Sequence, residues 1–163
     1  GHLAPAGDMG WSAKSMAESF YYSNMSPQVP TFNRGIWEDA EELVRSWAKA
    51  YSSVLVVSGP VLSKGLKTIG PNKVAVPRYF YKVILNPHTS QVRGIGLILS
   101  NDDNNGSLRD HFVTIDSVEK MTGLDFFFAL PDNQEEKIES TLRLTDWRMK
   151  GAVEQSKIGR AHV

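Results

Sequence analysis

The sequence predicts an α+β fold, a domain with a central, mainly antiparallel sheet flanked by helices. Three observations predict it. One long segment places apolar residues at helical spacing, several short β-branched runs are bounded by turn residues, and no repeat or low-complexity linker divides the chain. The 163 residues are 41% hydrophobic, which is enough apolar mass for one core. We therefore expect a single domain over residues 1–156.

The two ends of the chain differ from the rest. The chain opens on Gly1-His2 with no room for a preceding strand, so we expect a domain that is cut short at its N-terminus. From residue 157 onward we expect a non-native tail, because Ile158–Val163 matches the translation of a common sequencing-adapter stretch. His162 is therefore not treated as a functional residue.

Composition excludes several classes of function. The absence of cysteine excludes disulfides, thiolate zinc sites and a cysteine nucleophile, and no apolar run approaches the roughly 18 residues of a membrane span. A formal net charge of zero provides no overall field that would attract nucleic acid. A bound metal ion and a local cationic groove can still hold a phosphodiester.

The clearest helix follows Asn33. Its apolar positions recur at steps of three and four: Ile36, Trp37, Ala40, Leu43, Val44, Trp47, Ala48 and Tyr51. The other face carries acidic residues early and basic residues late: Glu38, Asp39, Glu42, Arg45 and Lys49. We interpret Asn33 as its N-cap, since asparagine is among the preferred capping residues.

The strands come next in the sequence. Ser53–Ser58 reads as a buried strand closed by Gly59-Pro60, and three further runs read as strands: Val74–Val76, Tyr79–Leu85 and Gly94–Ser100. A polar loop spans Asn101–Gly106. Asp116 is expected to cap a short helix that runs through Met121 and ends at Gly123.

His2 is the only histidine before the long helix, in a loop rich in glycine and proline. Alone, such a histidine is more often an ordinary surface residue. The following motifs are far more specific when they occur together in this order: Ser23-Asn24, Pro27-Gln28, Asn33-Arg34-Gly35-Ile36-Trp37 and Glu41.

Together these motifs resemble the DNA/RNA non-specific endonuclease family, whose members share a ββα-metal core. The similarity covers roughly residues 1 to 130 and continues through four further motifs: Val57–Pro60, Val74–Pro77, Phe80–Lys82 and Thr122–Phe126. The family's Asp-Arg-Gly-His signature is represented only by Gly1-His2. Because its arginine is absent, we expect this chain to be weakly active or inactive.

The resemblance implies a role for each site residue. His2 is the general base, since a neutral imidazole can take a proton from water near neutral pH. Asn33 holds Mg²⁺, or Mn²⁺ or another divalent cation, through its amide oxygen. Its alternative role is the helix cap.

Two further residues have competing interpretations. Glu41 lies about 80° around the predicted helix from Asn33 and would hold metal-bound waters; a solvent-facing charge is the alternative. Asn24 would bind the phosphate or orient groups around His2, and a turn-stabilising role is nearly as well supported.

Other polar residues are less informative. Six basic residues are candidates for a phosphate groove, although sequence alone does not place them on one face: Arg34, Lys64, Lys67, Lys73, Arg78 and Lys82. His88 and His111 lack a second ligand at metal-binding spacing, so we assign them surface roles.

The resemblance thus implies a metal-dependent endonuclease that hydrolyses phosphodiester bonds of DNA and RNA, and by family analogy its products should carry 5′-phosphates. By the resemblance, the full-length protein is secreted or periplasmic, is not membrane-bound, and has an inhibitor protein among its potential partners. The alternatives are an inactive nucleic-acid-binding relative and a protein-interaction domain of the same fold.

Overall fold

A computed structural model describes residues 1–88, 90 and 92–149, so the predicted tail at 157–163 lies outside the described residues. The α-helices are α1 Ala13–Glu18, α2 Pro30–Asn33, α3 Ile36–Tyr51, α4 Ile115–Thr122 and α5 Asp132–Ser140. The strands are β1 Leu55–Pro60, β2 Thr68–Ile69, β3 Val74–Ala75, β4 Tyr79–Asn86, β5 Arg93–Ser100 and β6 Phe112–Val113. Short 3-10 helices span Ala6–Asp8, Tyr22–Asn24, Leu108–His111 and Leu144–Asp146.

The main sheet has four strands in the order β1-β4-β5-β6, and each neighbouring pair is antiparallel. Strands β2 and β3 form a separate two-stranded ribbon. The predicted α+β class and antiparallel sheet are confirmed. None of the helices in the described residues is long and apolar enough to cross a membrane.

Helices cover both faces of this sheet, because β4 alternates its side chains between them. Phe80 and Ile84 pack with the buried face of α3, where Trp37 and Trp47 are 1% and 0% exposed. On the other face, α4 and α5 pack against a second cluster that includes Tyr81, Val83, Leu85, Ile115, Val118 and Ile138. The sheet therefore separates two distinct apolar layers.

The predicted long helix is confirmed as α3, but its cap is not Asn33. Asn33 is the last residue of α2, and the N-cap of α3 is Gly35, which makes no side-chain cap bond. A Cβ at Gly35 would lie 2.5 Å from the Thr31 carbonyl oxygen. Glycine at this position thus permits the tight turn from α2 into α3.

The expected burial of the first strand is wrong. Strand β1 forms an edge of the sheet, and Leu55, Val56 and Val57 are 54%, 40% and 37% exposed. An apolar run predicts a strand but carries no information on whether both of its sides are covered. The cap of α4 also differs from expectation: the Thr114 hydroxyl, not Asp116, accepts the Ser117 N–H.

Candidate active site

His2 is held by backbone pairing at the start of the chain. It forms an antiparallel bridge with Met25, and the next residue, Leu3, donates its N–H to the Asn24 carbonyl at 2.9 Å. The indole N–H of Trp37 donates to the His2 carbonyl at 3.1 Å. Because Trp37 belongs to the buried face of α3, these contacts tie the histidine to the core.

The His2 ring packs against an aromatic neighbour, and among the described residues its Nε2 has no hydrogen-bond partner. It meets the Phe20 ring edge-on, with 4.5 Å between centroids, and its Nε2 is buried. Burial lowers the pKa of His2, and the terminal ammonium of Gly1 lowers it further. Both effects favour the neutral imidazole, which is the form that a general base requires.

Asn33 ends α2 beside Gly1. A Cβ on Gly1 would collide with Asn33 Oδ1 and Gln28 Oε1, so this close approach needs glycine. In the part of the chain that the structure describes, no hydrogen bond uses the Asn33 side chain, and Gly35 has taken the capping position. Its amide oxygen is consequently available to a ligand.

One cleft brings three of the four predicted site residues together. It has a volume of about 550 Å³ and is lined by His2, Pro5, Ala6, Gly7, Asn33, Arg34, Glu38, Glu41, Glu42 and Arg45. The predicted angle of Glu41 from Asn33 around one helix does not apply, because the helix begins after Asn33. The turn at Gly35 nevertheless leaves both residues on the cleft wall.

The charge of Glu41 depends strongly on its surroundings. Burial raises its pKa to about 7, while the cation of Lys82 opposes the rise and Asp8 adds to it. A divalent cation in the cleft would favour the carboxylate form. The amide of Asn33, which caps no helix, and the carboxylate of Glu41 both offer hard oxygen donors. Such donors fit Mg²⁺ or a related ion that retains some of its waters.

Asn24 lies beside this cleft and does not line it. Its Oδ1 accepts the Ala4 N–H at 2.9 Å, and its Nδ2 donates to the carbonyls of Ala4 at 2.9 Å and Ser19 at 2.8 Å. These bonds occupy both ends of the amide. The geometry thus favours the turn-stabilising interpretation, since Asn24 braces the loop that follows His2.

Two arginines supply the positive charge of the cleft. Arg34 is one of the six basic candidates, whereas Arg45 was placed only on the polar face of the helix. Arg45 Nε lies 2.7 Å from Asp8 Oδ1, which links α3 to the loop after His2. Its position one turn after Glu41 was the signal that could have identified it.

The remaining basic candidates do not share this location. Lys64, Lys67, Lys73 and Arg78 are not among the residues that line the cleft, and Lys82 is buried at 1% exposure. Lys82 therefore acts on the cleft through its charge and does not offer a surface for phosphate.

Comparisons with known proteins find one matching family and several similar nucleases. The model of the family described as DNA/RNA non-specific endonuclease matches residues 1–133. Nuclease C1 of Cunninghamella echinulata var. echinulata is 42% identical over 143 residues, which are 80% of this chain and 57% of that protein. Mitochondrial Endonuclease G of Bos taurus is 36% identical over 139 residues, 77% of this chain and 46% of that protein.

A solved structure matches as well. The crystal structure of the EndoG/EndoGI complex, whose title refers to the mechanism of EndoG inhibition, aligns with a TM-score of 0.75 and 35% identity over 82% of this chain and 60% of that chain. The chain thus spans about half the length of the curated relatives it matches.

These relatives contradict one expectation. A secreted or periplasmic location was predicted by resemblance, yet the matched Endonuclease G and the nuclease of Saccharomyces cerevisiae, 35% identical over 159 residues, are named as mitochondrial. The prediction of location is wrong because catalytic motifs carry no information on cellular address.

Proposed function

Because the chain belongs to the DNA/RNA non-specific endonuclease family, we propose that it hydrolyses phosphodiester bonds of DNA and RNA with the help of a divalent cation. The observation that carries this proposal is the convergence of His2, Asn33 and Glu41 on one cleft. Within the described residues, the histidine Nε2 has no hydrogen-bond partner and the asparagine amide makes no side-chain hydrogen bond.

Each residue has a role that its contacts support. His2 removes a proton from the attacking water, which requires the neutral imidazole that burial favours. Asn33 would hold a metal ion through Oδ1, and Glu41 would orient water beside it. When bound, Mg²⁺ or Mn²⁺ supplies charge stabilisation at the scissile phosphate and the leaving oxygen.

Arg45 and Arg34 complete the substrate side of the cleft. Arg45 contacts Asp8 through Nε, and its two terminal nitrogens carry further N–H donors. Contacts of this kind recognise the phosphate backbone and not the bases, which accounts for action on both DNA and RNA. The inhibitor named in the matched structure supports an inhibitor protein as a partner of this chain as well.

The experiment is plasmid nicking and RNA digestion, with Mg²⁺ and with EDTA. It uses the chain itself and a variant that carries Asp-Arg before Gly1, each also as His2→Ala. His88→Ala is the matched control, because His88 is exposed and lies outside the cleft. Metal-dependent cleavage that His2→Ala abolishes and His88→Ala retains supports the proposal.

The opposing results are equally clear. Cleavage that persists in EDTA, or a folded Asp-Arg variant that cleaves neither substrate, contradicts the proposed hydrolysis. Binding of DNA without cleavage in that variant would favour the inactive nucleic-acid-binding alternative.

A further inference from the structure

Five acidic residues cluster on the face of the sheet opposite the cleft. Asp116 and Glu119 belong to α4, Asp125 follows α4, and Glu135 and Glu139 belong to α5. They form two groups of three that share Glu139, and within each group the carboxylate oxygens lie within 4.8 Å of one another. Three chain segments thus direct negative charge toward Glu139.

Glu139 is the buried centre of this cluster. It is only 8% exposed, and its Oε1 has neither solvent nor a hydrogen-bond partner. Oε1 of Glu135 is likewise buried and has no hydrogen-bond partner among the described residues. Buried polar atoms in native proteins nearly always have a partner, and the described residues supply none for these two carboxylate oxygens.

Among the described residues, no basic side chain forms an ion pair with the cluster. The ion pairs within the described residues are Lys14–Glu18, Asp8–Arg45 and Arg143–Asp146, and none includes any of the five acids. Burial raises the pKa of Glu139 to about 7, and the other four carboxylates, led by Glu119, raise it further. The four described carboxylates that act on Glu139 therefore all oppose its charge, and a bound cation would reverse this effect.

The backbone holds part of the cluster in place. The Phe126 N–H donates to Glu119 Oε1 at 2.7 Å, which fixes the loop after α4 and sets Asp125 beside the cluster. Val118 and Ile138 anchor the two helices to the sheet core next to the acids. The donors are thus carried by packed elements and not by free loops.

We propose that Glu139 and its four acidic neighbours bind one Ca²⁺ ion, which clamps α4, the following loop and α5 together. All the donors are hard oxygens, and this excludes the softer transition-metal sites. Ca²⁺ accepts six to eight oxygens in irregular geometry, whereas Mg²⁺ demands a near-ideal octahedron and keeps several waters. A crowded set of five carboxylates from three segments fits the former.

The test separates this site from the cleft and needs no activity measurement. In an Asn33→Ala background, which removes the proposed cleft ligand, calorimetric titration should detect one Ca²⁺ per chain. Thermal unfolding should shift upward by about 5–10 °C when Ca²⁺ is about a hundredfold above its Kd. The pair of substitutions Glu135→Gln and Glu139→Gln should abolish both signals.

The same pair should raise the melting temperature in EDTA, because it removes like charges without changing side-chain size. Glu136→Gln is the matched control, since Glu136 is exposed on the same helix and outside the cluster, and it should keep the Ca²⁺ response. If the double variant does not fold, Glu135→Gln alone should weaken Ca²⁺ binding about tenfold or more.

Three results overturn the proposal. They are no Ca²⁺ binding by the Asn33→Ala chain, an undiminished response in the folded double variant or in Glu135→Gln, and a larger thermal shift with Mg²⁺ than with Ca²⁺ at equal concentration.

Discussion

The ammonium nitrogen of Lys82 lies 3.9 Å from the centre of the Trp37 ring and donates to Ser58 Oγ at 3.0 Å. Lys82 is 1% exposed, and burial lowers its pKa to about 8 although Glu41 and Asp8 oppose the shift. Among the charges that lower the pKa of Glu41, this buried cation has the largest effect. A core residue of β4 thereby helps to keep a cleft carboxylate charged.

The first prediction concerns this pair. Lys82→Met keeps the side-chain length and its contact with Trp37 but removes the cation, so the pKa of Glu41 should rise above 7. Carboxyl carbon NMR titration of the metal-free chain measures this directly. Lys49→Met, at an exposed position of α3, is the matched control. An unchanged Glu41 pKa in Lys82→Met would show that the Lys82 cation does not influence the ionisation of Glu41.

The second prediction is a pH dependence of stability without metal. Glu41 and Glu139 have folded-state pKa values of about 7, raised from 4.5. Their stabilising contribution is therefore fully present below pH 4.5 and is lost as the pH rises through about 7. Urea unfolding in EDTA should give a free energy of unfolding that falls across this window.

The control for that profile is the combination of Glu41→Gln and Glu139→Gln, which removes both titrations. Its free energy of unfolding should change less between pH 4.5 and 7 than that of the parent chain. A parent that instead gains stability across this range would contradict the assigned shifts.

The third prediction is that Asn24 is structural. Asn24→Ala deletes three hydrogen bonds to half-buried backbone, so the free energy of unfolding should fall by about 1–3 kcal/mol. Denaturant titration measures the loss. Should stability remain the same while nuclease activity disappears, Asn24 would belong to the chemistry after all.

The fourth prediction is the opposite pattern at Asn33. Because its side chain makes no hydrogen bond among the described residues, Asn33→Ala should change the free energy of unfolding by no more than about 0.5 kcal/mol. Metal-dependent cleavage by the Asp-Arg variant should nevertheless fall about 10²-fold or more, as expected on loss of electrostatic stabilisation. Loss of folding would assign Asn33 a structural role.

Helices α3 and α4, most of the strands and the candidate site residues could be predicted from the amino-acid sequence. Apolar spacing predicted α3 over residues 36–51, and β-branched runs predicted β1, β3, β4 and β5 to within about two residues, whereas the two-residue strands β2 and β6 were not predicted. Resemblance selected His2, Asn33 and Glu41, which the fold then brought to one cleft. These features depend on short stretches of chain, so their signals are local.

Contacts between residues distant in sequence became known only from the three-dimensional fold. Exposure of β1 depends on its place at the sheet edge, and the role of Asn24 depends on carbonyls of residues 4 and 19. Lys82 lies under Trp37, 45 positions away in the sequence, and the acidic cluster joins residues 116 to 139 across two helices. Burial, capping and charge pairing all depend on contacts distant in sequence, which residue periodicity does not encode.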